Sequence, residues 1–248
     1  MLKTAVIIAG GEGTRLMPLT ADRPKTLVEV AGKPMLQWIL EWLKAYGINH
    51  VVIGVAHRKE KIIDFVRAND GFGMKVDFSE HTLEGGTAQG FKLAISRHVD
   101  KDDKNFLAMN GDELTNMNII NLYDTHMKTG AMVTHALSPL YCRFSIVEKD
   151  PNDRAKAAGF VYGKKLDIHV SMGIYMFNRD IVDRIPDTGS IEELVFKPLA
   201  SEGKLGAHYI TDTEHWVSVN SIKDVKEGSE EVLRWASGDV SPRKIVYK

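Results

Sequence analysis

One segment constrains this chain more than any other. Ala5-Val6-Ile7-Ile8-Ala9 is an unbroken apolar run that passes directly into Gly10-Gly11-Glu12-Gly13-Thr14-Arg15-Leu16. A short run without polar alternation predicts a strand buried on both faces, the habit of parallel sheets. Parallel neighbours cannot be joined by a tight turn, so helices must cross between strands, and an α/β fold class follows. The glycines after the strand let backbone N–H groups close on a polyphosphate. Arg15 adds a planar cationic fork at the same place. This is not a Walker loop, because no Gly-Lys-Ser/Thr closes it, and Leu16 stands where a dinucleotide fingerprint wants its third Gly or Ala.

The rhythm downstream agrees. Leu36, Ile39, Leu40 and Leu43 predict a helix over residues 34–46, stopped by Gly47. Further strands are expected at residues 51–55, 75–78 and 105–109, and helices at 59–68 and 87–97. Such sheets bind ligands at the carboxyl ends of their strands. After about residue 130 strands dominate, at 131–136, 144–149, 159–162 and 171–177, with helices at 179–184, 190–202 and 222–235. Mixed or antiparallel pairing is expected there, added to the same sheet or laid over it as a lid. No Gly-, Pro- or Ser-rich linker divides the chain, so residues 1–237 are expected as one domain, followed by a tail, 238–248, with an edge strand at 244–247.

Composition narrows the function classes. At 248 residues, 44% hydrophobic and 26% charged, the chain can bury a core and is not built to be disordered. A net charge of -1 provides no global field for nucleic acid or anionic membrane, and neither is expected as a partner. No apolar run approaches the ~20 residues of a membrane span. The apolar run near the start is also shorter than the roughly 7–15 residues of a signal-peptide core. Cys142 is the sole cysteine, so no intrachain disulfide can form, and a cytoplasmic setting is expected.

Pro18-Leu19-Thr20, then Arg23-Pro24-Lys25-Thr26-Leu27-Val28, then Gly32-Lys33-Pro34-Met35-Leu36 follow the loop closely. With it they resemble the signature of the sugar-1-phosphate nucleotidyltransferases: Gly-Gly-x-Gly-Thr-Arg-Leu-x-Pro-Leu-Thr, Pro-Lys-x-Leu and Gly-Lys-Pro-Met. The match is to the short form, without the carboxyl-terminal left-handed β-helix. The resemblance implies a Rossmann-like, three-layer, doubly wound sheet, mixed but mainly parallel. It implies a Mg2+-dependent enzyme, monomeric or homodimeric, that joins a nucleoside triphosphate to a phosphorylated small-molecule acceptor. The expected acceptor is a sugar 1-phosphate, with an NDP-sugar and pyrophosphate as products. A non-sugar phosphorylated acceptor, or a catalytically weak relative that only binds nucleotide sugar, are the alternatives. By the same resemblance Gly10, Gly11, Gly13 and Thr14 hold the nucleotide. Arg15 neutralises the departing pyrophosphate, and Lys25 bridges the α-phosphate and the attacking phosphate.

Asn110-Gly111-Asp112 ends the fourth predicted strand, where this sheet type binds ligands. The resemblance gives Asp112 the metal and places Gly111 beside the acceptor. Glu113 ranks lower, because neighbours on a strand point to opposite faces. The family's later Trp-x-Asp pattern reads Trp216-Val217-Ser218-Val219-Asn220 here, with Ser218 in place of the acid. Some branches of the family carry an Asn or Asp ligand at the later position, so the resemblance makes Asn220 the expected second metal ligand, through its carbonyl oxygen, with Ser218 acting through water.

Glu84-Gly85-Gly86-Thr87-Ala88-Gln89 resembles the segment that meets the base and ribose. Gly86 is expected against the nucleotide, Thr87 as a helix cap, and His81 as either a base contact or an exposed loop histidine. Val170-Ser171-Met172-Gly173-Ile174-Tyr175 and Ser190-Ile191-Glu192 resemble sugar-facing segments, which assigns Ser171, Gly173 and Glu192 to the acceptor. The family's Glu-Lys-Pro is absent. Lys164 is the expected replacement for its phosphate-binding lysine, with Arg143 and Lys149 as other cations. The base is not legible, and GTP, UTP, CTP and dTTP all stay open.

Overall fold

The structure is a computed structural model that describes residues 2–141, 144–161, 165–239 and 241. β1 (Thr4–Ile8) runs through the glycine loop and two single 3-10 turns into a hairpin of β2 (Glu29–Val30) and β3 (Lys33–Pro34). Then come α1 (Met35–Ala45), β4 (His50–Val55), α2 (Lys59–Ala68), β5 (Lys75–Glu80), α3 (Gly86–His98) and β6 (Asn105–Asn110). The second half holds β7 (Glu113–Thr115), α4 (Ile119–Thr129), β8 (Val133–Tyr141), β9 (Ile146–Lys149), β10 (Ala157–Val161) and β11 (Lys165–Asn178). It ends with α5 (Lys197–Ser201), β12 (Leu205–Tyr209), β13 (Trp216–Ser218) and α6 (Ile222–Ala236).

Seven strands form the central sheet in the order β12-β8-β11-β6-β1-β4-β5. Only β11 runs against its neighbours, so the sheet is mixed and mainly parallel. Alternation along the strands divides the core into two faces. Ala5 and Ile7 of β1 pack with Leu36, Ile39 and Leu40 of α1 and Ile62 of α2. Val6 packs on the other face with Phe91 and Ala94 of α3 and with Phe177 and Phe196. Both faces are covered, which is why β1 and β4 read as unbroken apolar runs.

Of the two arrangements expected for the strand-rich second half, addition to the same sheet is observed: β8 and β11 extend it. Among the described residues β9 and β10 pair with each other in a separate antiparallel hairpin. Besides the short strands β2, β3 and β7, two larger elements escaped the sequence reading. α4 is capped by Asn118, whose side chain accepts the Ile120 N–H at 2.9 Å, and is ended by Gly130. β12 pairs in parallel with β8 at the sheet edge. The helix expected over residues 190–202 is not uniform: Glu192–Phe196 forms a wide π-type turn before α5. Residues 1, 142–143, 162–164, 240 and 242–248 fall outside the described set. The expected edge strand at 244–247 lies among them. No helix of the described residues is long and apolar enough to cross a membrane.

Two buried histidines predict how stability follows pH. His126 is 2% exposed, with Nδ1 2.9 Å from Thr134 Oγ1 and Nε2 3.1 Å from Asn105 Oδ1. His135 is 8% exposed and wedged edge-on against Tyr175 and Phe196. Burial lowers both imidazoles to about 4. The unfolded chain binds their protons near pH 6.5, so it gains protons relative to the native state as pH falls below that value. The contribution is whole above about pH 6.5 and drains away toward pH 4. Each histidine is expected to cost about 2 kcal/mol of unfolding free energy between pH 7 and pH 5. Urea midpoints that do not fall over that interval would mean that these rings protonate in place.

Candidate active site

A cavity of about 330 Å³ opens at the carboxyl ends of β1 and β6, in the size range of small-molecule sites. Gly11, Gly13, Thr14 and Arg15 form one wall, and Lys25 and Thr26 another. Asn110, Gly111 and Asp112 supply the end of β6, and Thr87 and Asn220 close the rim. The fold thus brings together residues predicted from five separate stretches of sequence.

The loop is held open by its glycines. Gly13 sits at φ +67°, and a Cβ there would stand 2.9 Å from the Cβ of Lys25. The Gly13 carbonyl accepts the Leu16 N–H at 2.9 Å and the Thr20 hydroxyl at 3.0 Å, which fixes the turn. Beneath it, His81 fills a cradle between Gly10, Gly54 and Gly90, and a Cβ on Gly10 would come within 2.4 Å of the ring. His81 is therefore half-buried and not an exposed loop residue. It supports the loop from below, and burial lowers its imidazole pKa. Neither Gly10 nor His81 lines the cavity.

Lys25 is the centre of charge. Its Nζ donates to Asp112 Oδ2 at 2.5 Å and to Asn220 Oδ1 at 2.9 Å. Arg15 Nη2 donates to the same Asn220 oxygen at 2.9 Å. Asn220 is anchored in turn: its N–H donates to Asp224 Oδ2 at 3.1 Å and its Nδ2 to Ser218 Oγ at 2.7 Å. Two hard oxygens, from Asp112 and Asn220, thus converge on one cationic centre. That donor set fits Mg2+, which takes one or two protein oxygens and completes its shell with water and phosphates. Among the described residues no group of three His, Cys, Asp or Glu is placed to hold a metal unaided.

Glu113 is the residue that sequence reasoning undervalued. Strand alternation does not apply across Asp112, because β6 ends at Asn110 and β7 starts at Glu113. The pairing of β7 with β13 puts Glu113 directly opposite Ser218. Its carboxylate is 6% exposed and accepts the Trp216 indole N–H at 2.7 Å and the Ser218 hydroxyl at 3.0 Å. Burial, and then the adjacent Asp112 carboxylate, push its carboxyl well above the usual range; the two donors and Lys25 oppose the shift. No local spacing carries this signal, since the partners lie about a hundred residues apart.

The remaining predicted residues surround the cavity less tightly. Thr87 does not cap α3: Gly85 holds the cap position, and Thr87 lies inside the first turn. Its hydroxyl accepts the Ile191 N–H at 2.9 Å and donates to Glu192 Oε2 at 3.1 Å, tying α3 to the 190–192 segment. Ser190 donates to the same carboxylate oxygen at 2.6 Å. Gly86 packs its backbone against Gly189. Ser171 bonds to His135 Nδ1 at 3.1 Å, and Gly173 lies against Asn110 and Glu113. Gly86, Ser171, Gly173 and Glu192 do not line the cavity itself. Lys164 and Arg143 lie outside the described residues, and Lys149 is exposed on β9.

The profile of the family described as nucleotidyl transferase matches residues 4–234 of the chain. A mannose-1-phosphate guanylyltransferase of Mycobacterium tuberculosis is 30% identical over 236 residues, covering 93% of this chain and 64% of that protein. A probable mannose-1-phosphate guanylyltransferase 2 of Oryza sativa subsp. japonica is 32% identical over 232 residues, covering 90% and 63%. The chain thus spans a little under two thirds of the length of these curated relatives. Among solved structures, HddC from Yersinia pseudotuberculosis, complexed with GMP-PN, superposes with a TM-score of 0.71 at 23% identity, over 93% of this chain and 100% of that one. A UDP-glucose pyrophosphorylase complexed with UDP-glucose gives a TM-score of 0.71 at 14% identity, over 95% and 100%. At those identities the superpositions speak for the fold, and the profile match speaks for descent. The chain belongs to the nucleotidyl transferase family.

Proposed function

We propose that this chain transfers a nucleotidyl group from a nucleoside triphosphate to a sugar 1-phosphate. A phosphate oxygen of the sugar phosphate forms a bond to the α-phosphorus. The bond from that phosphorus to its bridging oxygen breaks, and pyrophosphate leaves with the electron pair. Little covalent work falls to the protein, so positioning and charge neutralisation carry the rate. The observation that carries this reading is the cluster of Arg15, Lys25, Asp112 and Asn220 at the mouth of the glycine loop.

In this reading the N–H groups of Gly10, Gly11 and Gly13, with Thr14, cradle the triphosphate, and Gly86 and Thr87 stand beside the nucleoside. Arg15 takes up charge on the departing pyrophosphate. The Lys25 ammonium bridges the α-phosphate and the attacking phosphate in this reading. Asp112 and Asn220 would hold Mg2+, which when bound supplies further neutralisation of the triphosphate. Gly111, Ser171, Gly173 and Glu192 are assigned to acceptor recognition, and Lys164 to the acceptor phosphate.

GTP with mannose 1-phosphate is the first pair to test, because the curated relatives described above carry that activity in their names. The experiment is a pyrophosphate-release screen with Mg2+, crossing GTP, UTP, CTP and dTTP with hexose 1-phosphates and phosphorylated alcohols. Release with one pair is expected and names both substrates. Silence across the panel, with nucleotide binding intact, would replace this reading with that of a protein that binds nucleotide sugar without making it.

A further inference from the structure

We infer that Glu113 is a positioning residue: it sets the direction of a hydrogen-bond chain that turns the carbonyl oxygen of Asn220 toward the charge centre. The consequence for metal binding rests on the nucleotidyl-transfer reading above. The chain runs Glu113, Ser218, Asn220. The Trp216 indole N–H can only donate, and it occupies Glu113 Oε2 at 2.7 Å. The Ser218 hydroxyl spends its one proton on Oε1 at 3.0 Å. Ser218 Oγ is then left to accept, and it takes the Asn220 Nδ2 at 2.7 Å. The other end of the amide, Oδ1, faces Lys25 and Arg15 at 2.9 Å each.

Direction matters here because of the residue types. An acid at position 218, as in the family pattern, presents oxygen whichever way it turns. The carboxamide of Asn220 presents oxygen from one end only, and N–H donors from the other. With serine at 218, something must hold the amide the right way round, and the buried Glu113 is placed to do it.

Glu113→Gln is expected to reverse this chain. Trp216 still donates, so the new carboxamide must turn its oxygen to Trp216 and its NH2 to Ser218. Ser218 then receives a donor and points its own proton at Asn220. The Asn220 amide must answer with oxygen, which leaves NH2 against Arg15 and Lys25. The chain reverses, and a cation site loses its neutral oxygen. Ser218→Ala only cuts the chain, leaving Arg15 and Lys25 to hold the amide.

The test is Mn2+ affinity, read by electron paramagnetic resonance in the presence of a non-hydrolysable GTP analogue and independent of turnover. Glu113→Gln is expected to weaken Mn2+ by about 10-fold or more, the scale of an outer-shell partner. Ser218→Ala should lose less, and the double variant should recover to the Ser218→Ala value. That rescue would not follow from a merely structural role. Parental affinity in Glu113→Gln, or a double variant as weak as Glu113→Gln, would overturn the inference and leave the nucleotidyl-transfer reading standing. If Glu113→Gln does not fold, Ser218→Ala decides alone: weaker Mn2+ binding at an unchanged melting temperature supports the chain, and unchanged binding overturns it. A parent protein that binds no Mn2+ with the GTP analogue would overturn the inference, while the nucleotidyl-transfer reading is decided by the pyrophosphate-release screen over all four nucleotides.

Discussion

Turnover of a Lys25→Met variant is expected to fall about a thousandfold, the upper range for losing one preorganised electrostatic partner. The ammonium lies between Asp112 and Asn220, and its side chain is 14% exposed. It therefore acts with little solvent screening, where a charge is worth far more than at the surface. Methionine keeps the stem and its packing beside Gly13 while removing the charge. The Asp112 side chain is 21% exposed, so water can replace the lost partner, and the thermal midpoint should move by only a few degrees. The check pairs steady-state kinetics with a melting curve. A variant that keeps more than about a tenth of the parental turnover would remove Lys25 from the chemistry.

Asp112→Asn is expected to cost a similar factor at ordinary Mg2+ concentration, for a different reason. The substitution preserves shape and one oxygen but deletes the only carboxylate among the described residues of the cavity wall. Its loss should appear chiefly as a raised Mg2+ requirement. Raising Mg2+ should restore part of the activity in Asp112→Asn and none in Lys25→Met. This contrast separates the two members of one ion pair, which a single activity measurement cannot do. Identical Mg2+ titrations for parent and Asp112→Asn would assign Asp112 to holding Lys25 in place and not to metal.

Both variants concern residues that were named from sequence, and the reason is physical. The glycine loop, Lys25 and the Asn110-Gly111-Asp112 turn each follow an apolar strand or a tight turn within a few residues. A parallel strand must deliver its carboxyl end to the same edge of the sheet as its neighbours. Once β1 and β6 are recognised as buried strands, Gly11 and Asp112 are committed to one cavity. The elements that escaped had weaker local signatures. β12 is a half-exposed edge strand, and its place is given by pairing with β8, some seventy residues earlier. Thr87 has the chemistry of a cap, but the cap of α3 falls two positions sooner, at Gly85, and a contact with the 190–192 segment recruits the Thr87 hydroxyl instead.

Local pattern was enough for the α/β architecture, the loop and the principal charges, because apolar periodicity and glycine placement act over a few residues. The partnerships belong to the tertiary structure alone. Glu113 meets Ser218 because β7 pairs with β13. Asn220 meets Lys25 because the turn before α6 lies beside the loop after β1. His81 reaches under Gly10 because β4 and α3 each leave a glycine-sized gap there, at Gly54 and Gly90. Direction and distance between side chains far apart in sequence are set by packing, and no residue spacing encodes them.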